Sequence, residues 1–182
     1  IMDYGSTHSI VMLVDGDDAL VNNPSIFDFY NNLYGTDTEF TYGSCWSLAD
    51  NIPLVAQPYP PEIKEKRLYR QYKFNWGMPY THLRTFKKYL LDMVPEEDFW
   101  DENGRFYEAG GDNAMFYNVI EQADPRKVKA VSDIVYLYND LNPLNDYKVN
   151  SDTQTKNSKE IVGQVKMGEY TNKTMMCHDV ID

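Results

Sequence analysis

The stretch Ser9-Ile10-Val11-Met12-Leu13-Val14-Asp15-Gly16-Asp17-Asp18 constrains the fold most, because an unbroken apolar run stops at three carboxylates within four residues. A run of this length and character reads as a strand buried on both faces, and open α/β sheets bind their ligands beyond the carboxyl ends of such strands. Asp15, Asp17 and Asp18 therefore belong at a ligand crevice. Carboxylates this close repel one another unless a hard divalent cation neutralises them, and Mg²⁺ or Mn²⁺ held this way usually keeps positions open for substrate phosphates. A solvated turn with an Asp cap ahead of Pro24 is the plainer alternative.

The remaining elements alternate. The spacing predicts a helix from about Pro24 to Leu33, with Asn23 as its cap and Gly35 as its stop. Thr38 to Trp46 alternates as a strand, and Leu83, Phe86, Leu90 and Met93 recur at helical spacing. Asp112 to Glu121 reads as another helix and Ala130 to Tyr138 as a late strand. The polar stretch from Ser151 to Glu160 shows no periodicity. No repeat or linker divides the chain, so residues 1–182 read as one α/β domain with a mixed sheet.

Charge and composition narrow the partners. A formal net charge of -11 argues against nucleic acid or an anionic membrane as ligand, since both need a basic face. No apolar run approaches the ~20 residues of a membrane span, so a soluble, cytoplasmic or virus-associated protein is expected. Cys45 and Cys177 form no metal knuckle and read as packing thiols. Five basic residues cluster from Lys64 to Lys73, behind a loop with four prolines from Pro53 to Pro61. They form either a solvated helix face or a basic flap over an anionic ligand.

A second locus is Glu108-Ala109-Gly110-Gly111-Asp112. Two glycines allow close backbone approach to a ligand, and an Asp opening a helix is held ionised by the helix dipole. Asp112 is thus a candidate general base as well as a candidate cap. Between the two loci, Trp76, His82 and Arg84 combine an aromatic face with polar groups, which suits a sugar ring, although Trp76 also reads as a core anchor and His82 as a satisfied structural residue.

Taken in order, Val14-Asp15-Gly16-Asp17-Asp18, Thr41-Tyr42-Gly43, Thr81-His82-Leu83-Arg84-Thr85-Phe86, the acidic loop ending at Asp112, and Tyr138-Asn139-Asp140-Leu141-Asn142 resemble the GT-A glycosyltransferases of the family 2 type, in a branch of bacteria and large DNA viruses. The resemblance spans about residues 9 to 160. It implies a mainly parallel sheet flanked by helices and transfer of a sugar, usually with inversion, from a nucleotide diphosphate donor, expected to be uridine-linked, to a glycan or protein hydroxyl with Mn²⁺ or Mg²⁺. By position, Asp15 and Asp17 match the donor- and metal-binding DxD pair, and Asp112 matches the acceptor base. Some metal-dependent members close the metal shell with a late histidine, which makes His178 beside Asp179 a candidate ligand, with a tail histidine of no consequence as the alternative. Lys148, Lys156 and Lys159 are candidates to cover the donor diphosphate, with solvated lysines as the plainer reading. Gly111 stands where many relatives carry an acidic residue. The resemblance also implies a nucleotide-binding half ahead of Asp15, supplied upstream or by another chain, a second copy included. Outside this family, a nucleotidyltransferase or phosphatase, a carbohydrate-binding module and an inactive assembly subunit are the competing classes.

Overall fold

The computed structural model describes residues 5–73 and 81–164. Six strands form a curled mixed sheet: β1 (Ile10–Leu13), β2 (Ala19–Leu20), β3 (Phe40–Ser47), β4 (Ile52–Leu54), β5 (Thr81–Lys87) and β6 (Val128–Tyr138). Their order is β1-β5-β3-β6-β2, and β4 pairs with the end of β3 beyond β5. Helices α1 (Ser25–Tyr34), α2 (Pro61–Glu65), α3 (Lys88–Asp92), α4 (Gly111–Ile120), α5 (Asp146–Val149) and α6 (Ser151–Gly163) surround it.

The expected mainly parallel sheet is corrected. Only β3 and β6 run parallel, while β1–β5, β3–β5, β3–β4 and β2–β6 are antiparallel. Parallel neighbours need a crossover, and the chain between β3 and β6, which carries β4, β5 and α2 to α4, supplies one. A second correction concerns β1, which lies at a sheet edge and is half-buried along its length, so its apolar run is not that of a central strand. Its role as a rail leading to the carboxylates survives, since it ends at Leu13 beside Arg84 of β5.

Leu83 to Lys87, read as helical from the 83/86/90/93 spacing, is strand; only Lys88–Asp92 is helix. The spacing deceived because β5 is flanked by β1 and β3 and buried on both faces. Leu83 joins the core under α1, whereas Phe86 joins the opposite core with Phe40 and Phe116. Conversely, Ser151–Gly163 is a helix despite its polarity. Its buried contacts reduce to Asn157, whose Nδ2 donates to the Ala109 carbonyl (2.8 Å), and Ile161, too sparse for an apolar stripe to register in the sequence. α1 starts one residue later than predicted, with Asn23 Oδ1 accepting from the Ser25 N–H (3.1 Å).

Two cores sandwich the sheet. Ile26, Tyr30 and Tyr34 of α1 pack on Leu83, Val135 and Tyr136, while Phe116, Val119 and Ile120 of α4 pack on Phe40, Tyr42 and Phe86. Burial of each such side chain contributes about 1.5–3 kcal/mol. α4 is therefore pressed against the face from which Arg84 projects. Gly43 of β3 allows the closest approach in the sheet: a Cβ there would lie 2.7 Å from Leu83 N and 3.2 Å from the His82 carbonyl oxygen.

The basic cluster divides: Lys66 is exposed, Lys73 lines the cavity described below, and the arginines are structural. Arg67 Nη1 donates to the Glu121 and Ala123 carbonyls, and Arg70, 6% exposed, pairs with Glu121 and donates to Asn118 Oδ1 and the Ile161 carbonyl. These arginines fasten the 61–72 segment to α4 and α6.

Candidate functional site

The turn that joins β1 to β2 is held from a distance. The Tyr136 hydroxyl accepts from the Asp15 N–H (3.0 Å) and donates to Asp18 Oδ2 (2.7 Å). The Asn139 N–H donates to Asp18 Oδ1 (2.7 Å), and Asn139 Nδ2 donates to the Asp17 carbonyl (3.1 Å). The end of β6 thus fixes the carboxylates, and it is itself fixed by buried Asp140, which accepts from Ser47 Oγ and the Ala49 N–H.

Facing the turn is His82 of β5. Its ring stacks on Tyr136 (4.7 Å, 13°) and Tyr138 (5.3 Å, 19°). Burial, with the Arg84 charge adding to it and Asp112 opposing, pushes the imidazole down to about 3, so it is neutral near pH 7 and presents a lone pair. His82 Nδ1 lies 3.9 Å from Asp15 Oδ2, too far for a hydrogen bond. One ligand atom each from Asp15, Asp18 and His82 falls within 4.8 Å of the others. Two ligands of an ion with bonds of about 2.0–2.1 Å can stand ~4 Å apart, so this group could hold a metal ion after a small closure. The Asp15 carboxyl is raised above the usual range by partial loss of water; Arg84 opposes this, and Asp18, Asp112 and Asp17 add repulsion. A bound cation would relieve that repulsion.

The second wall is the start of α4. Gly110 adopts φ 76° there, in the left-handed region glycine tolerates. Asp112 makes no cap hydrogen bond; its Oδ2 instead accepts from Arg84 Nη1 at 3.1 Å, leaving the carboxylate half-exposed to the cavity. Arg84 is 4% exposed, lies over the Phe116 ring (5.9 Å), and its Nε finds no hydrogen-bond partner among the described residues.

Both walls face one cavity of about 1120 Å³, at the large end of small-molecule sites. Asp15, Asp17, Asp18, His82, Arg84, Glu108, Gly111 and Asp112 all line it, so the two loci found separately in the sequence meet there. Asp17 is not one of the three residues that could hold a metal ion, and it accepts from Asn142 Nδ2. Lys159 reaches the cavity, but Lys156 pairs with Glu102 (2.8 Å) and lines a neighbouring one, away from the carboxylate turn. Lys148 donates to the Asp140 and Asn142 carbonyls. Trp76 and His178 lie outside the described residues.

Sequence reasoning placed His82 with the acceptor rather than beside Asp15 and Asp18, and it missed Tyr136 as the clamp on the turn. The available signal was the alternation Tyr136-Leu137-Tyr138, which sends two aromatic rings to one face of a strand that ends just before Asn139. No helix among the described residues is long and apolar enough to cross a membrane. Compared with protein-family models and with curated proteins, the chain matches none.

Proposed function

We propose that this chain carries the catalytic centre of a metal-dependent glycosyltransferase, which moves a sugar from a nucleotide diphosphate donor, expected to be uridine-linked, to an acceptor hydroxyl. One observation carries the reading: a group able to hold a divalent cation and an arginine-held carboxylate line the same cavity. Asp15, Asp18 and His82 would hold Mn²⁺ or Mg²⁺, which as a Lewis acid stabilises charge on a departing nucleotide diphosphate. Asp17, tied to Asn142, orients the turn toward the donor.

Asp112 takes the proton from the acceptor hydroxyl onto its carboxylate as that oxygen attacks the anomeric carbon. Arg84 holds the carboxylate in place through Oδ2, leaving Oδ1 for the incoming hydroxyl. Only one protein carboxylate works at the sugar, unlike the pair used by glycosidases.

Incubation with a panel of nucleotide sugars and Mn²⁺, followed by ³¹P NMR, tests the reading. Release of a nucleoside diphosphate is expected, and Asp112→Asn should lower turnover by roughly 10² to 10⁴ with donor affinity nearly unchanged. Inorganic phosphate or pyrophosphate as product would instead favour a phosphatase or nucleotidyltransferase. Donor left intact across the panel would point to a binding module or an assembly subunit.

A further inference from the structure

Beside the main cavity lies a second one of about 730 Å³, within the range of small-molecule sites. It forms between the 101–108 loop and the first turns of α6, and Glu108 lines both cavities. A molecule lying along Glu108 would therefore reach from this cavity toward Asp112, four residues further on.

Three features make this a prepared surface. First, Phe106 is 63% exposed at its rim and is held edge-on by Trp100 (6.5 Å, 88°), to which it is also bridged through the backbone. Second, the loop beneath the ring is braced by Asp101, whose Oδ1 accepts from the Asn103 and Arg105 N–H groups (2.9 and 3.0 Å). Third, the walls are stitched together by Asn157 to the Ala109 carbonyl (2.8 Å), Tyr107 to Glu160 (3.0 Å) and Lys156 to Glu102 (2.8 Å). These hydrogen bonds are formed without a ligand, and a surface held in place beforehand lowers the cost of binding.

The chemistry of the lining selects the ligand. Arg105 and Lys156 are paired with Asp101 and Glu102, whereas Glu108 and Asp152 have no ion-pair partner among the described residues. An exposed aromatic face next to carboxylates and an asparagine suits a sugar ring, whose CH face stacks while its hydroxyls donate to the oxygens. We propose that this second cavity binds a sugar unit of the acceptor lying beyond the one that carries the reacting hydroxyl, so that the acceptor is an oligosaccharide rather than a single sugar or a lone protein side chain. This rests on the glycosyltransferase reading for its connection to Asp112, but the sugar site itself stands on the second cavity alone.

Binding is measured without donor or metal, by saturation-transfer NMR and titration calorimetry. The probes are neutral cello-, chito-, malto- and manno-oligosaccharides of two to four units, with their monosaccharides. At least one oligosaccharide should bind more tightly than its monosaccharide. Phe106→Ala should weaken it by about three- to tenfold without lowering the melting temperature, and Phe106→Trp should retain it. Absence of binding across the panel, or affinity unchanged in Phe106→Ala, overturns the proposal. If Phe106-dependent binding holds while no nucleotide sugar is consumed, the transferase reading falls and the sugar site stands. Turnover on monosaccharide acceptors with KM unchanged in Phe106→Ala gives the reverse result.

Discussion

Two arginines lie against opposite sides of α4, each buried and each over an aromatic ring of that helix, yet they are satisfied very differently. Arg70, over Tyr117, gives Nε and Nη2 to both oxygens of Glu121, with further hydrogen bonds to Asn118 and the Ile161 carbonyl. Arg84, over Phe116, gives Nη1 to a half-exposed Asp112 and leaves a buried Nε without a partner among the described residues. Burying a cation without full pairing is unfavourable, so structural arginines are saturated. The incomplete pairing of Arg84 belongs where a ligand is expected to complete it. One arginine locks α4 to its neighbours and the other offers α4 to the cavity.

The largest expected effect tests the locked side. Arg70→Met strands Glu121, which is 5% exposed, and should cost about 3–5 kcal/mol in urea unfolding. A loss under about 1 kcal/mol would mean that this pair is no more structural than Arg84 with Asp112. Next comes the backbone beneath the open side. Gly43→Ala sets a Cβ against the Leu83 backbone, which cannot give way as a flexible side chain would, and should cost about 1–3 kcal/mol while displacing His82. Unchanged stability and an unchanged His82 imidazole NMR spectrum would show that the two strands can part there.

Arg84→Met should be milder, at about 1 kcal/mol or less, because Asp112 can rehydrate once released. A cost equal to that of Arg70→Met would erase the contrast. The smallest effect is electrostatic. Removing the Arg84 charge should raise the His82 value, with burial still keeping it below the ordinary 6.5. The native chain, with His82 near 3 when folded and ordinary when unfolded, takes up more protons on unfolding between those values. The stability that His82 contributes is therefore complete above about pH 6.5 and is lost as pH drops toward 3, and Arg84→Met should make that decline shallower. An NMR titration of His82 that did not move in Arg84→Met would show that the arginine's field does not reach the cation-holding group.

Much of this was legible in the chain because the signals were local. β1, α1, β3, α4 and β6 follow from periodicity and turn residues, and the carboxylate turn and the start of α4 were each found before they could be joined. What was not legible depended on neighbours. β5 mimicked a helix because both its faces are covered. α6 hid its identity because it is docked mainly by hydrogen bonds with distant residues and only Ile161 of its apolar side chains is fully buried, and the basic cluster looked solvated because its counter-ion, Glu121, lies 51 residues beyond Arg70. The pairing of His82 with Asp15 and Asp18 likewise depends on β5 lying beside β1, which spacing along one strand cannot reveal.

The Tyr136 clamp has a consequence for the order of assembly. The hydrogen bonds that shape the turn at Asp15 and Asp18 come from residues 118 to 121 positions later, at the end of the last strand. During synthesis the carboxylates emerge well before Tyr136 and Asn139, and they lack these hydrogen bonds until both have left the ribosome. The geometry of the turn is thus completed only once the end of β6 is in place, and a peptide copied from residues 9–18 would carry the motif without the site.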